Sequence, residues 1–326
     1  MAFEVDSAEL DAFCALAPRI EHSALLRVCD DAFREYGHVA HLQDRGSRIT
    51  VSINPRVVDD SDAPVGCIGN LVLETNADRL MDAAHTWLRT RGARVVRGPI
   101  VRHTWYPFRA VTEGFDNWPA LSGEPWNTPA LVTCLQAFGY EERWRYLTTR
   151  TNDLTFSPKL ASKLRQFRAS GFRIRSLDAK QLLPDLSVIH RLINHSFAPP
   201  QNTMFAPITM QEFLLVLGIS GESSGGFSID PDWVHLCFTA DDVPAGFLLM
   251  TNEGAMASIK TLCVAPEFRG SGVGGALVAQ AHMVARSSGA RWVAHTLMAD
   301  TGPSMSITSA SRHEVLRRYA VFERTL

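Results

Sequence analysis

The stretch VAPEFRGSGVGGALVAQAHMVARSSGARWVAHTLM, residues 264–298, decides how this chain is read. It sets Arg269 and the glycines Gly270, Gly272, Gly274 and Gly275 between a β-rich run and a helix-periodic run. Glycine costs backbone entropy, so that density needs either a tight turn or a ligand pressed against the main chain. Val273, Leu277, Ala281 and Val284 recur at helical spacing and predict a helix over 273–286, with Arg286 and Gly289 marking its end. RWVAHTLM (291–298) follows as a strand. Upstream, WVHLCFTA (233–240) and AGFLLMT (245–251) read as strands joined by DDVP, and ASIKTLCVAP (257–266) as a third strand ended by Pro266. Hairpin, strand, glycine-rich turn, helix and strand make an α/β arrangement around a mixed sheet.

The first half carries a faded copy. LMDAAHTWLRTRGARVV (80–96) and LVAQAHMVARSSGARWV (277–293) align without a gap and share eight of seventeen residues. GCIGNLVLE (66–74) precedes the first copy as IKTLCVAPE precedes the second. This predicts an internal duplication. The copies differ between strand and helix: ETNADR (74–79) has no glycine and two acids where the second copy has PEFRGSGVGG. The polar stretch 151–171, with Pro158 and a short basic helix candidate, reads as the linker.

With 326 residues, 46% apolar and 20% charged, the chain has material for two globular cores. A formal net charge of −2 offers no basic excess for nucleic acid and no charge block for an anionic membrane surface. No apolar run is long enough to span a bilayer, the first residues lack a signal-peptide core, and the six cysteines are scattered without a CxxC. The expectation is a reduced, cytoplasmic protein, monomer or homodimer, with no metal, nucleic-acid or membrane partner. GESSG (221–225) spells a nucleophile elbow, but a helical run precedes it where an elbow needs a strand.

A helix N-terminus leaves backbone N–H groups unpaired and carries partial positive charge, and glycines let a phosphate approach it. The turn is not a Walker loop, since no Gly-Lys-Ser/Thr follows. LCVAPEFRGSGVGGAL resembles motif A of the GNAT acyltransferase superfamily. VRGPIVRHTWYPFRAVTEGFD (96–116), EPWNTPALVTCLQAFGY (124–140) and HTLM…GPS…RRYAVF (295–322) resemble segments of a bacterial branch with two GNAT-like halves. The resemblance implies an α/β (α+β) fold of two tandem GNAT-like domains, each a mixed, mostly antiparallel twisted sheet flanked by helices. Expected bounds are a degenerate first domain over 1–155, a linker over 156–171 and an acyl-CoA-binding domain over 172–326.

It further implies acetyl-CoA or another acyl-CoA as co-substrate, with Leu262, Cys263 and Val264 along the pantetheine and Arg269, Gly270, Ser271, Gly272, Val273 and Gly274 at the pyrophosphate. The reaction is acyl transfer to an amine of a small molecule or peptide by direct attack on the thioester. The alternatives are a non-catalytic acyl-CoA sensor or scaffold, and transfer from a carrier-protein thioester. The oxyanion needs a donor, expected in a backbone N–H near Val264, and the amine must be neutral. The tyrosine that many relatives carry after the fifth strand is missing between 296 and 318, and Gly302 stands where the related branch has asparagine. His295 is the candidate base or acid, with Ser304, Ser306 and Thr308 in the next segment and Tyr319 as a further candidate. Phe197, Asn202 and Phe205, in NHSFAPPQNTMFAPITMQEF (194–213), are expected to line the acceptor pocket.

Overall fold

A computed structural model describes residues 4–6, 9–15, 23–74, 77–106, 108–117, 121–154, 158–198, 202, 204–217, 230–302, 304–305 and 313–326. The GESSG string, Ser306 and Thr308 lie outside them. The chain divides into two compact units. The first holds 1–145, 202–227 and 319–326; the second holds 146–201 and 228–318.

In the first unit, α1 (Leu10–Ala15) and α2 (Ser23–Arg34) precede the strands β1 (His38–Asp44), β2 (Ser47–Val58) and β3 (Pro64–Val72). Then come α3 (Asp78–Arg89), β4 (Val95–Gly98), β5 (Ala110–Glu113), α4 (Pro129–Ala137) and the start of β6 (Glu141–Thr151). β1, β2 and β3 are successively antiparallel, and β4 joins β3 in parallel with Gly66 opposite Val96. The core is the apolar face of α3 (Leu80, Met81, Ala84, Trp87, Leu88) set on Ile49, Val51, Ile68 and Val96.

The second unit takes the end of β6, then α5 (Pro158–Ala169), β7 (Arg173–Ser176), α6 (Leu182–Ser196), β8 (Val234–Phe238), β9 (Pro244–Asn252) and β10 (Met256–Val264). It continues with α8 (Val273–Ser287), β11 (Trp292–Ala299) and the start of β12 (Glu314–Thr325); α7 (Met210–Val216) is grouped with the first unit. Strands β7 to β10 are successively antiparallel, and β11 lies parallel to β10 with Ala257 opposite Val293. Leu277, Ala281 and Ala285 of α8 pack on Leu248, Ile259 and Val293.

The duplication predicted from the alignment is visible in these registers. Val96 and Val293 are aligned residues, and each sits opposite the strand that precedes its helix. Leu80 and Leu277, Ala84 and Ala281, and Ile68 and Ile259 hold matching core positions. Both preceding strands carry a bulge past the matching isoleucine, between Gly69 and Val72 in one and at Lys260 in the other.

The bounds expected for the domains shift. Residues 158–169 are a helix, not a linker: Leu164 and Phe167 are buried in the second core, and Phe167 stacks on Phe172 at 4.7 Å. The last strand also changes sides. Residues 322–325 pair antiparallel with β4, while 146–151 pair antiparallel with β11. Each sheet is therefore completed by a strand from the opposite half of the sequence, which periodicity within a half does not reveal.

Candidate active site

The site is built from a strand pair that separates. β10 and β11 are paired from Met256/Trp292 to Ile259/His295. At that point the Thr296 hydroxyl donates to the Ile259 carbonyl at 2.9 Å. Past it, Thr261 to Val264 pair with β9, while Met298 and Ala299 pair with β6. The turn away is made at Leu297, whose φ is +55°, and its N–H is taken up by the Thr148 hydroxyl at 3.1 Å. The result is a parallel pair opened like a V, with β10 backbone along one wall.

Leu262, Cys263 and Val264 form that wall. The Cys263 side chain is buried and points to α6, where Sγ donates to the Leu192 carbonyl at 3.6 Å. Burial pushes its thiol up to about 12, so any part it plays is played by its backbone. β9 lies very close behind: a Cβ on Gly246 would fall 2.5 Å from the Cys263 carbonyl oxygen.

The glycine-rich turn follows. Gly270 and Gly272 have φ of +82° and +91°, and the Ser271 hydroxyl folds back to the Phe268 carbonyl at 2.6 Å. Ala276 N–H bonds the Gly272 carbonyl at 2.9 Å, so the N–H groups of Val273, Gly274 and Gly275 come ahead of the ladder of a fifteen-residue helix. Among the described residues, a Cβ added at Gly270 or Gly275 would meet nothing within 4 Å, and one at Gly272 only Phe167, at 3.9 Å. These three glycines are thus not crowded by the described residues. Open space over partly positive backbone N–H groups fits a pyrophosphate. Arg269 behaves otherwise: its Nη2 donates to the Ser196 carbonyl at 2.8 Å.

The other candidates divide. His295 is 5% exposed on β11. Its Nε2 is 3.1 Å from His282 Nε2 on α8, and its ring meets His313 edge-on at 4.7 Å. His313 Nδ1 reaches the Thr149 hydroxyl at 3.0 Å. Burial, and then each other's charge, holds His295 well below the ordinary imidazole value and His282 at about 4; burial lowers His313 as well. These rings are neutral near pH 7. One of the two Nε2 atoms must donate to the other, a constraint on His295 that the sequence did not signal. Ser304 is half-buried in the turn after β11, where Met305 N–H bonds the Gly302 carbonyl at 3.1 Å.

Tyr319 is grouped with the first unit and is 1% exposed; its hydroxyl donates to Glu124 at 2.6 Å. Its place is in that core. The three acceptor candidates fall on two units. Phe197 caps α6 in the second unit, whereas Asn202 and Phe205 belong to the first. Asn202 forms a local turn through its side-chain oxygen to Met204 N–H at 3.1 Å, and Phe205, 3% exposed, packs edge-on against Trp105.

The matching place in the first unit is closed. Ile68, the counterpart of Ile259, receives Ile100 N–H on its carbonyl at 2.7 Å. The chain then presses on β3 so tightly that a Cβ at Gly69 would lie 2.6 Å from the Ile100 carbonyl oxygen. Just beyond, Arg102 is buried against Asp30, whose other oxygen is 2.7 Å from His41 Nε2. Burial works to raise the Asp30 pKa, but the His41 hydrogen bond and the Arg102 charge together hold it below the usual carboxylate value. Glu212, fully buried, accepts from Tyr36 at 2.9 Å and Tyr106 at 3.0 Å. Sequence reasoning passed over Asp30, Arg102 and Glu212, because charges far apart in sequence give no spacing signal. Of RHTWYPFR (102–109), which mixes bases and aromatics, Arg102, His103 and Tyr106 are buried in this interior.

Comparison with known proteins agrees with this architecture. Residues 209–303 match the Acetyltransferase (GNAT) family. No curated protein matches the sequence. Among solved structures, the chain resembles a tandem GNAT protein from the clavulanic acid biosynthesis pathway, with TM-score 0.54, 12% identity and coverage of 99% of this chain and 97% of that one. A GCN5-related N-acetyltransferase from Sphaerobacter thermophilus gives 0.50 and 13% identity, over 99% of this chain and 94% of that one. A glucosamine N-acetyltransferase region of a fungal multi-domain GH3 beta-N-acetylglucosaminidase gives 0.58 and 12% identity, over 98% of this chain but only 37% of that one. At such identities the likeness is one of fold. No helix among the described residues is long and apolar enough to cross a membrane, and no group of three or more His, Cys, Asp or Glu among them is arranged to hold a metal ion. Residues 209–303 thus match the model of the GNAT acetyltransferase family, and the chain resembles a tandem GNAT protein in fold.

Proposed function

We propose that the second unit binds an acyl-CoA, acetyl-CoA first among them, and transfers its acyl group to an amine of a small molecule or peptide. The observation that carries this reading is the parting of β10 from β11 after Ile259/His295, beside an α8 N-terminus where no described residue crowds Gly270, Gly272 or Gly275. The backbone of Leu262, Cys263 and Val264 would run along the pantetheine. The N–H groups of Gly270, Gly272, Val273 and Gly274 would face the pyrophosphate, with Gly275 next in line. The co-substrate supplies the activated thioester.

In the transfer, the amine nitrogen bonds to the acyl carbon, the carbon–sulfur bond breaks, and the nitrogen gives up a proton as the sulfur leaves as thiol. A β10 backbone N–H in the opened segment is the proposed oxyanion donor. Burial keeps His295 in the form that accepts a proton, and its contacts with His282 and the half-buried His313 form a chain of imidazoles. Ser304 is the proposed donor to the departing sulfur. The first unit, closed at the matching place, has a supporting role.

A second reading, an acyl-CoA sensor, draws on the burial of His295 and on the bond of the Tyr319 hydroxyl to Glu124 within the first unit. The test is to mix the protein with acetyl-CoA and a panel of amines and to follow thiol release together with cofactor binding. Turnover on any amine supports the transferase. Binding without turnover favours the sensor, turnover only with a carrier-protein thioester favours that donor, and no binding of either donor ends all three.

A further inference from the structure

Arg269 heads the glycine-rich turn, yet its guanidinium is turned to the end of α6. Its acceptor, Ser196, is the last residue of that helix and 3% exposed. The final carbonyls of a helix lack partners within it and carry partial negative charge, so a guanidinium there satisfies both needs. Its planar, fixed donors also hold direction better than an ammonium would. Two further contacts join the same pair of segments. His195 Nε2 lies 2.7 Å from Glu267 Oε1, and Cys263 Sγ donates to the Leu192 carbonyl. Leu192, His195 and Ser196 thus meet Cys263, Glu267 and Arg269 one to one. The His195–Glu267 pair is well exposed, 58% and 59%, and an exposed pair of this kind is weak. The Arg269 bond, charge-assisted and directed at a buried residue, is the firmer tie.

We propose that Arg269 is a positioning residue that pins the C-terminal turn of α6 to the glycine-rich turn, leaving the anion to the backbone N–H groups. The pin fixes where the chain leaves α6 toward the segment 197–213. Its relation to acyl transfer rests on the reading given under Proposed function, but the pin itself needs no cofactor.

Hydrogen exchange on the full chain without ligand tests it. In Arg269→Ala, amides 193–197, including the Phe197 N–H that bonds the Ile193 carbonyl at 3.0 Å, should open about 5- to 30-fold faster. Amides of α8 should not change, and Arg269→Lys should restore part of the protection. A second arm measures acetyl-CoA and S-acetylpantetheine, which lacks the pyrophosphate, and Arg269→Ala should change both affinities by the same factor. Unchanged exchange at 193–197 would overturn the proposal. So would a loss of acetyl-CoA affinity about 10-fold or more beyond that of S-acetylpantetheine, since that marks a pyrophosphate ligand. If the wild type binds neither ligand, the acyl-CoA reading falls while the exchange arm still decides the pin.

Discussion

Replacing Gly272 by alanine separates backbone strain from ligand approach. Gly272 is the N-cap of α8 with φ +91° and ψ −2°, and the nearest atom to an added Cβ is Phe167 Cδ2 at 3.9 Å. No steric overlap arises, so the fold should survive and pay only for a side chain in the left-handed region, about 1–2 kcal/mol. In a domain of this size that lowers the Tm by about 3–6 °C. The effect on coenzyme A should be larger. A Cβ on the exposed turn stands where an anion would reach the N–H groups, and losing one or two charge-assisted bonds of about 1.5 kcal/mol or more each weakens binding about 10- to 150-fold. Gly254 supplies the control. It lies in the turn between β9 and β10, its φ is +76°, and an added Cβ would meet nothing within 4 Å among the described residues. Gly254→Ala should therefore cost similar stability and leave affinity unchanged. Thermal unfolding and calorimetric titration with coenzyme A on both variants read the two effects. If both variants lost affinity equally, or Gly272→Ala kept wild-type affinity, the placement of the phosphate would be wrong.

Two further outcomes are expected. His282, His85 and His235 are each depressed to about 4, chiefly by burial, and burial also holds His295 well below its ordinary value. The unfolded chain then takes up protons that the native chain refuses, so stability is intact above about pH 6.5 and declines toward about pH 4, by up to about 1.4 kcal/mol per pH unit for each histidine. Urea midpoints across that window should show the slope, and His282→Gln should flatten it; an unchanged slope in the variant would contradict the assignment. Asp30→Ala leaves Arg102 buried without its carboxylate and should cost about 3–5 kcal/mol, measured by denaturant unfolding, and a loss below about 1 kcal/mol would mean that the pair is not desolvated as placed.

Much of the second unit was legible along the chain. The strands expected over 245–251 and 257–266 appear as Pro244–Asn252 and Met256–Val264, and the helix over 273–286 as Val273–Ser287. Local periodicity suffices there because each of these elements buries one face against its sequence neighbours. The same holds for the repeat, whose identical residues are largely the ones that pack: Leu80, Ala84 and Val96 against Leu277, Ala281 and Val293.

What the sequence determined by itself was the pair of strand–turn–helix–strand copies and the fact that only one kept a glycine-rich turn. Those are statements about backbone conformation and one-sided burial, and both leave a local signature. The tertiary structure decided the rest. It exchanged the closing strands between the halves, put Tyr319 in the first core and made His295 one of three touching imidazoles. It also turned Arg269 from the glycine-rich turn to the end of α6, and shut the first copy's gap with the chain around Ile100 while leaving the second unpaired past Ile259. Each of these depends on which distant groups compete for the same carbonyl or the same buried volume, and spacing along a chain carries no record of that competition.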